Sequence, residues 1–150
     1  MDKLNNINEE NKNMILEQYK LYVEMADKIS QQRSLTNSFY ITINTTLLAC
    51  IGLKVEKFDN FIIVLAILGV ILSIIWWFNI HSYSRLNSGK FKIIHQMENY
   101  LPFKAYTSEW NVLKNRDKRG VYIQISSIEK YIPLLFLLLY IAIVIFKNLK

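Results

Sequence analysis

Glycine and proline are nearly missing from this chain, at 4 and 2 of 150 residues. These two residues punctuate turns and stop helices, so few turns are encoded and long helices are expected. A single cysteine, Cys50, lies in an apolar run; it excludes an intramolecular disulfide and offers no local zinc set. It reads as a small apolar residue. Also missing are a glycine-rich phosphate loop, a Gly-x-Ser-x-Gly elbow and a histidine pair flanking a glutamate at metal-binding spacing. The first residues are polar and hold no short apolar core followed by small residues, so membrane targeting is expected from later segments. Finally, charge is missing from two long stretches, residues 61–80 and 131–146.

That last absence gives meaning to what is present. The chain is 52% hydrophobic with a mean hydropathy of +0.16, yet it carries 18 basic and 12 acidic residues. Such values coexist when apolar and charged residues are segregated along the chain, as they are in a protein that crosses a bilayer. The expected fold class is an all-α membrane protein. It would have an N-terminal amphipathic helix, three transmembrane helices, and short cytoplasmic amphipathic helices between the second and third.

Residues 1–35 form the expected cytoplasmic helix. Ile15, Tyr19, Tyr22, Ala26 and Ile29 recur at alternating spacings of four and three, a seam of about two heptads that is expected to pack on other helices of an assembly. Residues 36–82 read as a transmembrane hairpin with spans at about 36–55 and 61–80, since about 20 helical residues match a hydrocarbon core of about 30 Å. The first span is the least apolar. Ser38, Thr42, Thr45, Ala49 and Gly52 give it a stripe of small side chains, with Asn37 and Asn44 beside it. In lipid such a stripe permits close helix approach and interhelical hydrogen bonds, so Ser38, Thr42, Asn44 and Thr45 are the candidate oligomer-facing or axis-facing residues. In the second span Ala66, Gly69 and Ser73 form a small-residue face, and Trp76, Trp77 and Tyr83 fit an aromatic belt.

Residues 83–130 form a basic cytoplasmic segment. Phe91, Ile94, Met97 and Leu101 mark a helix that Pro102 stops, and Trp110 with Leu113 a second amphipathic piece. Val121, Ile123 and Ile125 read as extended or irregular, and Ser126 with Glu129 has capping-box spacing. Residues 131–150 hold the third span and a short external tail. Fourteen lysines and arginines fall on the side of the N-terminus and long loop, against four on the other. The positive-inside rule therefore predicts that those segments are cytoplasmic; three spans then put the C-terminus outside, whereas two spans, without the polar first one, would leave it cytoplasmic.

Candidate chemistry is sparse. His95 and Glu98 lie three apart on one helix face, but two ligands make no metal site, and an exposed pair near the head groups is expected. His81 and Arg85 read as interfacial anchors. Arg85, Lys90 and Lys92 are the candidate basic residues facing lipid or a partner. The cluster from Lys114 to Arg119 lacks the aromatic interleaving of a nucleic-acid surface, so anionic lipid head groups are the expected partner. No catalytic residue, cofactor or metal is expected.

The order of segments resembles the RipA-like family of small octameric bacterial inner-membrane proteins. The resemblance is carried by Arg33, Asn37, Phe39 and Asn44, then Tyr83, Arg85, Leu86, Asn87, Lys90 and Phe91. Leu101, Pro102, Glu109, Trp110, Glu129 and Lys130 complete it, and it extends from about residue 14 onward. It implies a ring-like homo-oligomer and transfers no active site. The expected function is a non-enzymatic, channel-like or membrane-acting effector in stress or phage defence. The alternative is a pore-free membrane scaffold or regulator that recruits a soluble cytoplasmic protein.

Overall fold

The computed structural model describes residues 9–53, 59–117 and 128–149. Among these the chain is helical: α1 spans Glu9–Gly52, α2 Asp59–Met97, α3 Ala105–Asp117 and α4 Ile132–Asn148. A short 3₁₀ turn, Glu98–Tyr100, closes α2.

The first two helices correct the expected segmentation. The N-terminal amphipathic helix and the first apolar stretch are one unbroken α1 of 44 residues, about 66 Å long. The second apolar stretch and the helix expected at 90–101 are likewise one α2 of 39 residues. No glycine or proline lies between residues 9 and 51, so nothing interrupts the i to i−4 hydrogen-bond ladder where the sequence turns from charged to apolar. Gly89 is carried inside α2 without breaking it. Pro102 falls past the 3₁₀ turn, where Leu101 is already extended. Pro133 sits in the first turn of α4, where a missing amide is tolerated. The expected extended segment at Val121, Ile123 and Ile125 and Ser126 of the expected cap lie outside the described residues.

The chain divides into two units. One combines Gln32–Tyr83 with Ile125–Lys150 and holds the apolar halves of α1 and α2 with α4. Its core is Tyr40, Trp76 and Ile80, with Ile43, Leu72, Ile132 and Phe136 packed around them. The ring of Tyr40 stacks on that of Trp76 at 5.6 Å, and Phe136 tilts against Trp76 at 6.0 Å. The other unit combines Met1–Gln31 with Ser84–Gln124 and holds most of the charge. There Ala26, Ile29, Ile94 and Glu98 are buried. The seam residues Ile15, Tyr19 and Tyr22 are half-buried, so the seam packs within the chain and not, as expected, on other helices of an assembly.

One helix among the described residues, running from Phe61 to Tyr100, is long and apolar enough to cross a membrane. The apolar α4, with 17 residues, is shorter, at about 25 Å. On α2 the side chains of Phe61, Val64, Ile67, Leu68, Ile71, Ile75 and Phe78 are exposed, while Ala66, Gly69, Ser73 and Trp76 are buried. In a water-soluble protein most large apolar side chains would be buried; here, apart from the aromatic core around Trp76 and Ile80, this stretch of α2 turns small and polar groups inward and its large apolar side chains outward.

Candidate functional site: buried polar rungs and an exposed hydroxyl stripe

Polar side chains of the apolar unit divide between two faces of α1. On the inward face, Asn37, Tyr40 and Asn44 are buried, at 9%, 8% and 0% exposure. Each is satisfied by a neighbour. The Trp76 indole N–H donates to Asn37 Oδ1 at 2.9 Å, and Asn79 Nδ2 donates to the Tyr40 hydroxyl at 2.9 Å. Asn44 Nδ2 donates to the Tyr40 carbonyl at 2.8 Å. The Ser73 hydroxyl lies 3.5 Å from Asn44 Oδ1 and donates at 2.8 Å to the Gly69 carbonyl. From α4, the Tyr140 hydroxyl donates to the Asn44 carbonyl at 2.9 Å. These rungs tie three helices together. Without competing water, an unmade bond here would leave a polar group stranded, so each rung fixes helix register.

Tyr140 reaches α1 because position 69 has no side chain. A Cβ on Gly69 would lie well inside contact distance of the Tyr140 ring. Gly69→Ala must therefore displace a fully buried ring that is held by its own hydroxyl. It is expected to destabilise the apolar unit by about 1–3 kcal/mol through overpacking, read as a lowered midpoint in a denaturation series in detergent.

On the other face of α1, Ser38, Thr42, Thr45 and Thr46 are exposed. Their hydroxyls fold back on their own helix: Thr42 Oγ1 donates to the Ser38 carbonyl at 2.9 Å, Thr46 to Thr42 at 2.8 Å, and Thr45 to Ile41. The oxygens keep a free lone pair and face away from the chain's own helices. Asn44, a candidate axis-facing residue from its place beside the stripe, therefore belongs to the inward face instead. Trp76, read from sequence as part of an aromatic belt, is instead a fully buried core residue bonded to Asn37. Near the end of this unit Arg33 Nε lies 3.4 Å from Glu129 Oε2, and Thr36 Oγ1 lies 3.4 Å from the Tyr83 hydroxyl.

In the charged unit, the expected exposed pair of His95 and Glu98 is something else. Glu98 is fully buried. Its Oε1 accepts the Tyr106 amide at 2.6 Å and the Tyr19 hydroxyl at 3.3 Å. Oε2 accepts the Thr107 amide at 3.0 Å and the Thr107 hydroxyl at 2.5 Å, with His95 Nδ1 3.5 Å away. Tyr106 and Thr107 are the second and third residues of α3, so Glu98 caps that helix from outside and takes two of its unpaired amides. Burial pushes the carboxyl up, but the Thr107 hydroxyl, the Tyr106 and Thr107 amides and His95 outweigh it and hold the group below its ordinary value of 4.5. Burial, followed by the Glu98 charge, pushes the Tyr19 phenol up to about 12. The arrangement is a structural anchor. Among the described residues no cluster of three or more His, Cys, Asp or Glu could hold a metal ion.

Of the candidate basic residues, Lys90 lies over the Tyr22 ring at 5.3 Å from its centre, while Arg85 and Lys92 are exposed and separate. Sequence reasoning missed the roles of Tyr140, Tyr19 and Thr107. For Tyr140 a signal existed: it is one hydroxyl in an otherwise apolar helix, opposite a glycine.

A helical chain that turns large apolar side chains outward and pairs its polar side chains inward is a helical membrane protein. More narrowly, the chain belongs to the Octameric membrane protein family (8xMP), which matches residues 16–149. No curated protein and no solved structure matches it significantly.

Proposed function

We propose that this chain forms a ring-like homo-oligomer in a bacterial inner membrane, with three helical spans per copy: the apolar halves of α1 and of α2, and α4. In this reading the N-terminus and the segment after α2 are cytoplasmic and the C-terminus is outside. The stripe of Ser38, Thr42 and Thr45 faces the shared axis, and the assembly acts without enzymatic chemistry as a channel-like or membrane-perturbing element, an effector of the kind expected in stress or phage defence. The observation that supports this is the division of polar groups on α1: the amides are consumed inside the chain, while the hydroxyls are left exposed on the opposite face. Residues 34–52 of α1 carry no charge and provide about 28 Å of helix, enough to span.

Thr42→Leu combined with Thr45→Leu removes two hydroxyls at exposed positions, each bonded only to a carbonyl of its own helix. The double variant is expected to keep its helicity and lose at least tenfold in ion leakage from proteoliposomes. Unchanged leakage and oligomer size would remove the axis assignment. A reporter fused to the C-terminus is expected to be active only outside the cytoplasm.

The exposed Phe103, Trp110 and Val112 in the charged unit favour a second reading, a pore-free scaffold that recruits a soluble cytoplasmic protein. Partner recovery that is lost when residues 85–130 are deleted, from a variant that never leaks ions, would support it.

A further inference from the structure

The charged unit has apolar side chains that its own packing does not use. On α1, Met14, Leu21 and Met25 are exposed, Leu21 at 55%. With Gln18, also exposed, they follow one another at spacings of four, three and four, which is the seam of a packed helix pair. This seam is distinct from the one formed by Ile15, Tyr19, Tyr22, Ala26 and Ile29, which is covered within the chain. On α2, Leu86, Gly89, Ile93 and Gln96 are exposed at spacings of three, four and three, Leu86 at 51%. A Cβ at Gly89 would meet nothing within 4 Å, so the middle of this second ridge is an open notch.

Lipid is a poor cover for these ridges, because the helix segments that carry them also carry Lys12, Glu17, Lys20, Glu24, Asp27, Lys28, Lys90 and Lys92. The charges beside the α1 ridge are already neutralised along the helix. Glu17 pairs with Lys20 at 2.9 Å and Glu24 with Lys28 at 2.8 Å. A second helix can therefore approach without meeting a net charge of one sign. The family supplies the occupant, since its members are octameric membrane proteins and each copy carries both ridges.

We infer that the α1 ridge Met14–Gln18–Leu21–Met25 of one copy packs against the α2 ridge Leu86–Gly89–Ile93 of the next. This deepens the ring reading and rests on it. The two halves of the contact are different surfaces of the same chain, so the contact is head-to-tail. Such a contact uses every copy twice and closes into a ring when the rotation allows. Gly89 gives the closest approach, opposite the long side chains of Leu21 and Met25.

Cross-linking tests the pairing without disturbing the fold, because both target side chains are exposed. In the full-length protein with Cys50→Ala, the double variant Leu21→Cys, Ile93→Cys is treated in membranes with a short bis-maleimide. A ladder of linked species reaching eight copies is expected from the double variant, and from neither single variant. An octamer by native mass spectrometry that gives no ladder would overturn the pairing and leave the ring standing. An equal yield of linked dimers from Leu21→Cys alone would overturn the head-to-tail arrangement in favour of a symmetric one. A monomeric parent protein would overturn both the pairing and the ring.

Discussion

Trp76→Ala is expected to be the most destabilising single substitution in the apolar unit, at about 3–5 kcal/mol, the range for removing a large buried aromatic side chain. Three losses combine. The indole is fully buried between Tyr40 and Phe136, so its removal leaves a void lined by both rings. Lipid and protein interiors are equally apolar, so the loss in a membrane is of packing contacts more than of a drive away from water. Asn37 Oδ1 also loses the donor that holds it at 2.9 Å, and a stranded side-chain amide adds to the penalty. Phe78, two residues along the same helix but exposed, provides the control: Phe78→Ala is expected to change the stability of one copy by at most about 0.5 kcal/mol. Denaturant titration of both variants in bicelles measures the difference. Equal effects would mean that the inward face of α2 has been assigned wrongly.

Glu98→Ala is expected to release the N-terminus of α3. The substitution removes the acceptor for the Tyr106 and Thr107 amides and for the Tyr19 and Thr107 hydroxyls together. Leaving such donors unpaired costs about 3 kcal/mol locally, between the loss of a helix cap and that of a buried charged acceptor. At about 1.4 kcal/mol per factor of ten, amide exchange at Tyr106 and Thr107 should quicken by about two orders of magnitude. The native carboxyl titrates below its ordinary value, so the folded state favours the ionised form. Its stabilisation is fully present above about 4.5 and is lost as the pH falls through the lower folded value. The parent protein should therefore lose protection of the α3 amides, relative to their intrinsic exchange rates, as the pH falls below 4.5, while the Glu98→Ala variant should show little further loss over that range.

These two residues mark the limits of reading this chain from its sequence. The apolar stretches, the helical class and the existence of the α1 seam are visible because composition and periodicity are local properties; that the seam is covered within the chain is not. The small-residue face of Ala66, Gly69 and Ser73 is visible too, and each of the three is buried. Continuity of the helices was missed, because a change from charged to apolar residues suggests a boundary that the backbone has no reason to respect. Trp76 was misread because tryptophan near the end of an apolar run usually sits at the interface, and only the position of Asn37 across the hairpin shows that its N–H is used inside. Glu98 was taken for an exposed residue, as glutamate normally is. Its burial depends on Tyr19, 79 positions away, and on two backbone amides of α3, which leave no pattern in sequence.

Asn44 and Thr45 are adjacent in sequence, yet one is inside the chain and the other on its surface, and the proposed function depends on that division. A map by electron microscopy of the full-length protein in lipid nanodiscs tests it most directly. The expected result is a closed ring of eight copies with α1 nearest the axis, Ser38, Thr42 and Thr45 facing the centre, and Asn37, Tyr40 and Asn44 turned back toward α2 and α4 of the same copy. A ring in which the Thr42 and Thr45 side chains point outward into lipid, or a protein without a shared axis, would contradict it.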